Sequence, residues 1–160
     1  MENEGIEVVN RQRKIKITSK TWRGFAGLAV SMIAEAEGNA LTVAFVSDEK
    51  MRRLNRSFRG KNSTTDVLSF PFDETNWEAN DVKTENPKSR IPNPKPQYLG
   101  DIVISLEQAQ RQAAENNLDF EIEIKQLILH GILHLCGYDH ETDDGEMNRR
   151  ELELRDKLDI

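Results

Sequence analysis

Apolar residues along this 160-residue chain recur with two distinct periods, and the changes between them mark the elements. From Thr21 to Glu37, the residues Trp22, Phe25, Leu28, Ala29, Met32, Ile33 and Ala36 follow helical spacing, and Gly38-Asn39 supplies a stop. The spacing predicts an amphipathic helix there, with Ser19 offering a cap. Two short strands are expected before it, Ile6 to Val9 and Lys14 to Thr18, the second alternating Lys14, Ile15, Lys16 and Ile17 with the period of a half-buried sheet. Leu41 to Val46 is a β-branched and aromatic run. Ser47 then stands as a cap before acidic Asp48 and Glu49, which open a second helix over about residues 48 to 57.

Val67 to Phe72 reads as a further strand, with Pro71 placing its end at a sheet edge because proline cannot donate to a ladder. The pattern then lapses. From Asp73 to Tyr98 there is no sustained periodicity, and four of the five prolines fall here, as expected of a functional flap or a disordered insertion. Leu99 to Ile104 resumes as a strand. Ser105-Leu106-Glu107-Gln108 has the form of a capping box, opening a helix that ends near Asn116-Asn117. Asp119 is placed to cap the next helix, in which Phe120 to Cys136 is apolar on nearly every side, the mark of a central, buried helix. Gly137 ends it, and a last helix is expected from about Asp144 to Leu158.

Composition narrows the class. A chain of this length forms one domain and buries roughly two thirds of its unfolded surface, and 37% hydrophobic residues suffice for a core. With Cys136 as the only cysteine, neither an intrachain disulfide nor a cysteine-rich zinc site is possible. An acidic start and the lack of any membrane-length apolar run disfavour export and insertion, so a cytoplasmic location is expected. The net charge of -6 is unevenly spread: residues 1 to 70 hold 12 Lys and Arg against 8 Asp and Glu, and the remainder hold 10 against 20. Broad nucleic-acid binding is therefore disfavoured, yet Lys50, Arg52, Arg53, Arg56, Arg59 and Lys61 form a local basic cluster free of acids.

All three histidines lie between His130 and His140. His130 and His134 are four apart on a helix, so both imidazoles leave one face with Cβ atoms about 5 to 6 Å apart, close enough to share an ion about 2.0 to 2.1 Å from each nitrogen. Gly137 lets the chain turn and bring His140 round as a third ligand. Three neutral nitrogens suit Zn²⁺ best and leave the fourth tetrahedral position for water, whose pKa such an ion lowers to about 7. Cys136 reads as a small buried hydrophobe. The spacing His-x₃-His-x₅-His also occurs in metzincin proteases, where a Glu directly after the first His is the general base. Here that position is Gly131, which counts against peptide hydrolysis.

The residues His130-Gly131-x-Leu133-His134-Leu135-x-Gly137-Tyr138-Asp139-His140 resemble the YbeY family of bacterial metal-dependent endoribonucleases. So do Asn55-x-x-x-Arg59-Gly60-Lys61, Thr65-Asp66-Val67-Leu68-Ser69-Phe70-Pro71 and Gly100-Asp101-Ile102-Val103-Ile104, in the same order along residues 55 to 140. The departure is the segment 73 to 98, longer and richer in proline than that pattern. The resemblance implies a single-domain α+β fold with a small mixed sheet. It also implies one Zn²⁺ held by His130, His134 and His140, Arg59 in the catalytic cleft, and hydrolysis of RNA in ribosomal RNA maturation.

Chemically, a guanidinium fork at Arg59 suits the negative charge that develops on a phosphodiester under attack, although a role capping its own helix fits the position too. Asp101 and Asp139 are candidates to orient a ligand histidine, or to satisfy loop backbone. Val67 to Pro71 is placed to form one wall of the cleft. The expected partners are RNA, probably ribosomal, and ribosomal proteins, with no membrane and the oligomeric state open. The alternatives are a non-enzymatic ribosome-assembly factor with a structural zinc and a zinc peptidase; the open fourth position favours an enzyme.

Overall fold

The structure, a computed structural model, describes residues 5–72 and 97–160. In order, these form β1 (Ile6–Asn10), α1 (Ser19–Ser31), β2 (Ala40–Val46), α2 (Asp48–Arg59), β3 (Val67–Pro71), β4 (Tyr98–Ser105), α3 (Leu106–Glu115), α4 (Phe120–Leu135) and α5 (Glu146–Leu158). The strands make one mixed sheet in the order β1-β2-β4-β3, parallel except that β3 runs antiparallel to β4. This is the α+β single-domain fold expected, with β3 on an edge and Pro71 at its end. The insertion expected at 73–98 lies outside the described residues except for Gln97 and Tyr98, and Tyr98 already belongs to β4.

Alternation along the central strands divides the apolar residues between two faces. Leu41, Val43 and Phe45 of β2, with Ile102 and Ile104 of β4, join α1 and α4 in the main core. Val46, Val103 and Leu68 meet Met51 of α2 on the other face. Helix α4 is buried as its composition requires, with Ile124, Ile128, Leu129, Ile132 and Leu133 fully enclosed. It lies so close to β4 that a Cβ on Gly131 would stand 2.7 Å from Cγ2 of Ile102, nearer than side chains pack. Glycine at 131 is thus a packing requirement, and the same contact leaves no room for a glutamate there.

Three local expectations differ from the structure. Lys14 to Thr18 forms no strand, because the Gln12 side chain occupies the backbone that a ladder would need: its Nε2 donates to Ile15 O at 2.7 Å, and Ile15 N donates to its Oε1 at 2.9 Å. Ile15 and Ile17 still pack on the core, which accounts for the alternation. Helix α1 ends at Ser31, and tight turns such as Ala36 N to Ile33 O, at 2.9 Å, carry Ile33 and Ala36 into the core instead. Asp119 takes the cap position of α4 without a side-chain cap bond.

Candidate metal centre

His130 and His134 occupy successive turns of α4, which closes in a Schellman turn. Gly137 N donates to His134 O at 3.0 Å and Tyr138 N to Leu133 O at 3.1 Å, with Gly137 at φ 97°, a conformation that favours glycine. The turn redirects the chain so that His140 faces the helix. Its ring centroid lies 5.5 Å from that of His130 and 5.3 Å from that of His134. One nitrogen from each of the three imidazoles falls within 4.8 Å of the others.

The outer nitrogens are fixed by their partners. His130 Nδ1 lies 2.7 Å from Oε1 of Glu151, and His134 Nδ1 lies 3.0 Å from the carbonyl oxygen of Tyr138. Both partners are acceptors, so both Nδ1 atoms carry hydrogen and both Nε2 lone pairs point inward. Those two Nε2 atoms are 3.1 Å apart. Two lone pairs at that distance repel unless a cation lies between them, and two ligands of one tetrahedral ion would stand about 3.3 Å apart. The three histidines therefore fit a metal ion, with solvent-exposed His140 closing the set.

Glu151 is the residue that sequence reasoning missed. It projects from α5 and is only 7% exposed. Burial works to raise its pKa, but the hydrogen bond and charge of His130 and the guanidinium of Arg155 hold it below the ordinary value. A signal was present in the sequence: Met147, Glu151 and Leu154 stand at i, i+4 and i+7 on the buried face of α5, and an acid in such a stripe needs a partner. Burial, reinforced by the other two imidazoles, lowers the pKa of His134 and favours the neutral form that a ligand must have. Burial pushes the Cys136 thiol up to about 11, so this sulfur stays protonated and apolar.

The histidines open into a cleft of about 850 Å³. Val67, Leu68, Ser69 and Pro71 of β3 line one wall, and Arg59 and Asp139 line it too. The carbonyls at the end of α2 are taken by backbone donors, Gly60 N to Arg56 O at 3.1 Å and Lys61 N to Asn55 O at 3.3 Å. Arg59 makes no hydrogen bond with a described residue, so it does not cap its helix there. Farther along the cleft, Gln112 Nε2 bridges Asp66, at 3.0 Å, and Glu123, at 3.2 Å.

The two aspartates proposed to orient a histidine do not do so. Oδ1 of Asp139 accepts from Glu141 N at 3.0 Å and serves the loop backbone. Asp101 alternates with Ile102, which faces α4, and so lies on the opposite face of β4, where it accepts the Tyr98 hydroxyl. Burial, with Asp101 as acceptor, pushes that hydroxyl up to about 12.

The family model described as Endoribonuclease YbeY matches residues 7–159. The Endoribonuclease YbeY of Thermodesulfovibrio yellowstonii is 37% identical over 164 residues, covering 94% of this chain and 93% of that protein. The one from Bacillus mycoides is 39% identical over 134 residues, 82% of this chain and 81% of that protein. The solution structure of TM1509 from Thermotoga maritima superposes with a TM-score of 0.59 at 26% identity, covering 96% of this chain and 88% of that one.

Proposed function

The chain belongs to the YbeY endoribonuclease family, and from that membership we propose that it is a zinc-dependent endoribonuclease, hydrolysing RNA phosphodiester bonds in ribosomal RNA maturation in the cytoplasm. One observation carries the metal dependence: the two Nε2 atoms face each other at 3.1 Å with both Nδ1 hydrogens already committed. His130, His134 and His140 would hold the ion. When bound, it supplies Lewis acidity at the mouth of the cleft, the chemistry by which zinc makes water nucleophilic near neutral pH.

The chain's own side chains supply the rest. The Glu151 carboxylate holds the proton on His130 Nδ1, and the Tyr138 carbonyl does the same for His134, which keeps both inner nitrogens unprotonated and aimed. Arg59 binds two non-bridging oxygens of the scissile phosphate, and its positive charge gains strength as negative charge develops there. Gly131 leaves no side chain where a zinc peptidase carries its base, which favours phosphodiester over peptide chemistry.

Metal analysis beside RNA cleavage tests this reading. Protein purified without chelator should hold about one zinc per chain and cut RNA, and should lose cutting with chelator and regain it with zinc. It should leave casein intact. Unchanged metal content and cleavage in His134→Ala would remove the site. The chemical end groups of the RNA fragments would then tell attack by water from attack by the ribose 2′-OH.

A further inference from the structure

Helix α2 carries positive charge that its own folding does not use. Arg52, Arg56 and Arg59 stand at i, i+4 and i+7, so they leave one face of the helix in a row about 10 Å long. Arg53 pairs with Glu49 at 2.7 Å, whereas the three arginines of the row have no ion-pair partner among the described residues. The protein as a whole has a net charge of -6, so this concentration is local. Arg59 lines the cleft, so the row starts at the histidines and leads away from them.

An aromatic ring stands on the same helix. Phe58 is 66% exposed, more than any other large hydrophobic side chain among the described residues. It meets Phe70 edge-on with centroids 5.0 Å apart, and the neighbours of Phe70 on β3, Ser69 and Pro71, line the cleft. A phenylalanine kept in water forgoes the free energy of burial, and one fixed beside a row of guanidinium groups offers a face to a nucleobase.

We propose that Arg52, Arg56 and Phe58 form a nucleotide-binding exosite that feeds the cleft: backbone phosphates beside the scissile one lie on the two arginines, and an unpaired base stacks on Phe58. The identity of the polymer as RNA rests on the nuclease reading above. Arg59 belongs to both the row and the cleft, so one strand reaches both; an anionic membrane surface, which would also meet arginines and an aromatic ring, cannot enter the cleft.

The test uses the metal-loaded full chain with a short single-stranded RNA. Single-turnover cleavage is followed beside equilibrium binding of a fluorescein-labelled copy, read by anisotropy across a salt series. Phe58→Leu should raise the half-saturating RNA concentration about tenfold while the saturated rate holds, and Phe58→Trp should restore it, because stacking needs a ring and not merely an apolar group. Arg52→Ala and Arg56→Ala should each flatten the slope of log affinity against log salt by about 0.7, the value for one phosphate contact on a single strand. Wild-type binding by Phe58→Leu, together with an unchanged salt slope in the double arginine variant, would overturn the exosite while leaving the nuclease reading intact. Binding that depends on Phe58 and both arginines in a protein that cuts no RNA would retain the exosite and remove the nuclease reading.

Discussion

At His130 the chemistry depends on a proton that never leaves. Its Nδ1 hydrogen is held by Glu151 at 2.7 Å, and the other carboxylate oxygen takes Arg155, so the imidazole has one orientation and one free nitrogen. Glu151→Gln keeps the shape but removes the charge. It should leave the fold intact and weaken zinc binding about 10-fold to 100-fold, measured by competition with a chromophoric chelator. Zinc affinity equal to wild type would show that His130 needs no such support. Arg59 acts differently, because it touches substrate and not the ion. Arg59→Ala should retain zinc yet lose about 10²-fold to 10³-fold in single-turnover RNA cleavage, and Arg59→Lys should recover only part, since an ammonium lacks the planar fork. Equal saturated rates would take Arg59 out of the mechanism.

At the scale of elements, the site is made by helix α4 meeting the sheet. Gly131 lets α4 settle against Ile102, and the antiparallel pair β3 and β4 sets the cleft wall beside it. The chain leaves β3 and enters β4 at neighbouring points: Pro71 pairs with Gly100, and Phe72 N donates to Leu99 O at 3.0 Å. Ends this close can be joined by a short turn, and loop length itself contributes little to stability. Replacing 76–95 with a brief Gly-Ser linker should therefore preserve the circular dichroism spectrum and the zinc content. Loss of zinc in the shortened chain would assign that segment a part in the site.

For the whole molecule, metal and protons compete for the same nitrogens. The lowered pKa of His134 means that, below the ordinary histidine value, the unfolded chain takes up a proton more readily than the folded one. Stability of the metal-free protein therefore falls as pH drops from 7 through that range. Glu151, held below its ordinary value, adds a loss of the same sign at lower pH, whereas Glu123, raised mainly by its burial, is relieved on protonation and works the other way. Thermal unfolding at pH 7 and pH 5, with zinc and with chelator, checks both effects. The chelated protein should melt lower at pH 5, and the rise in melting temperature with zinc should shrink there because protons occupy the ligand nitrogens. A zinc-induced rise of equal size at both pH values would exclude the histidines as ligands.

Local spacing settled whatever depends on neighbours within a turn or two. His130 and His134 share a face because they are four apart on a helix, Gly137 permits the turn to His140, and the all-round apolar character of Phe120 to Cys136 made that helix central. The edge position of β3 followed from Pro71. Packing decided what depends on residues far apart in the chain. The Gln12 amide turned an alternating segment away from the sheet, and the face of β4 on which Asp101 stands depended on where α4 lay. The carboxylate that orients His130 comes from a different helix, 21 residues further on. Periodicity records which side chains leave an element on the same side; it carries no information about which other element arrives to meet them, because that is fixed by how all the apolar faces are buried at once.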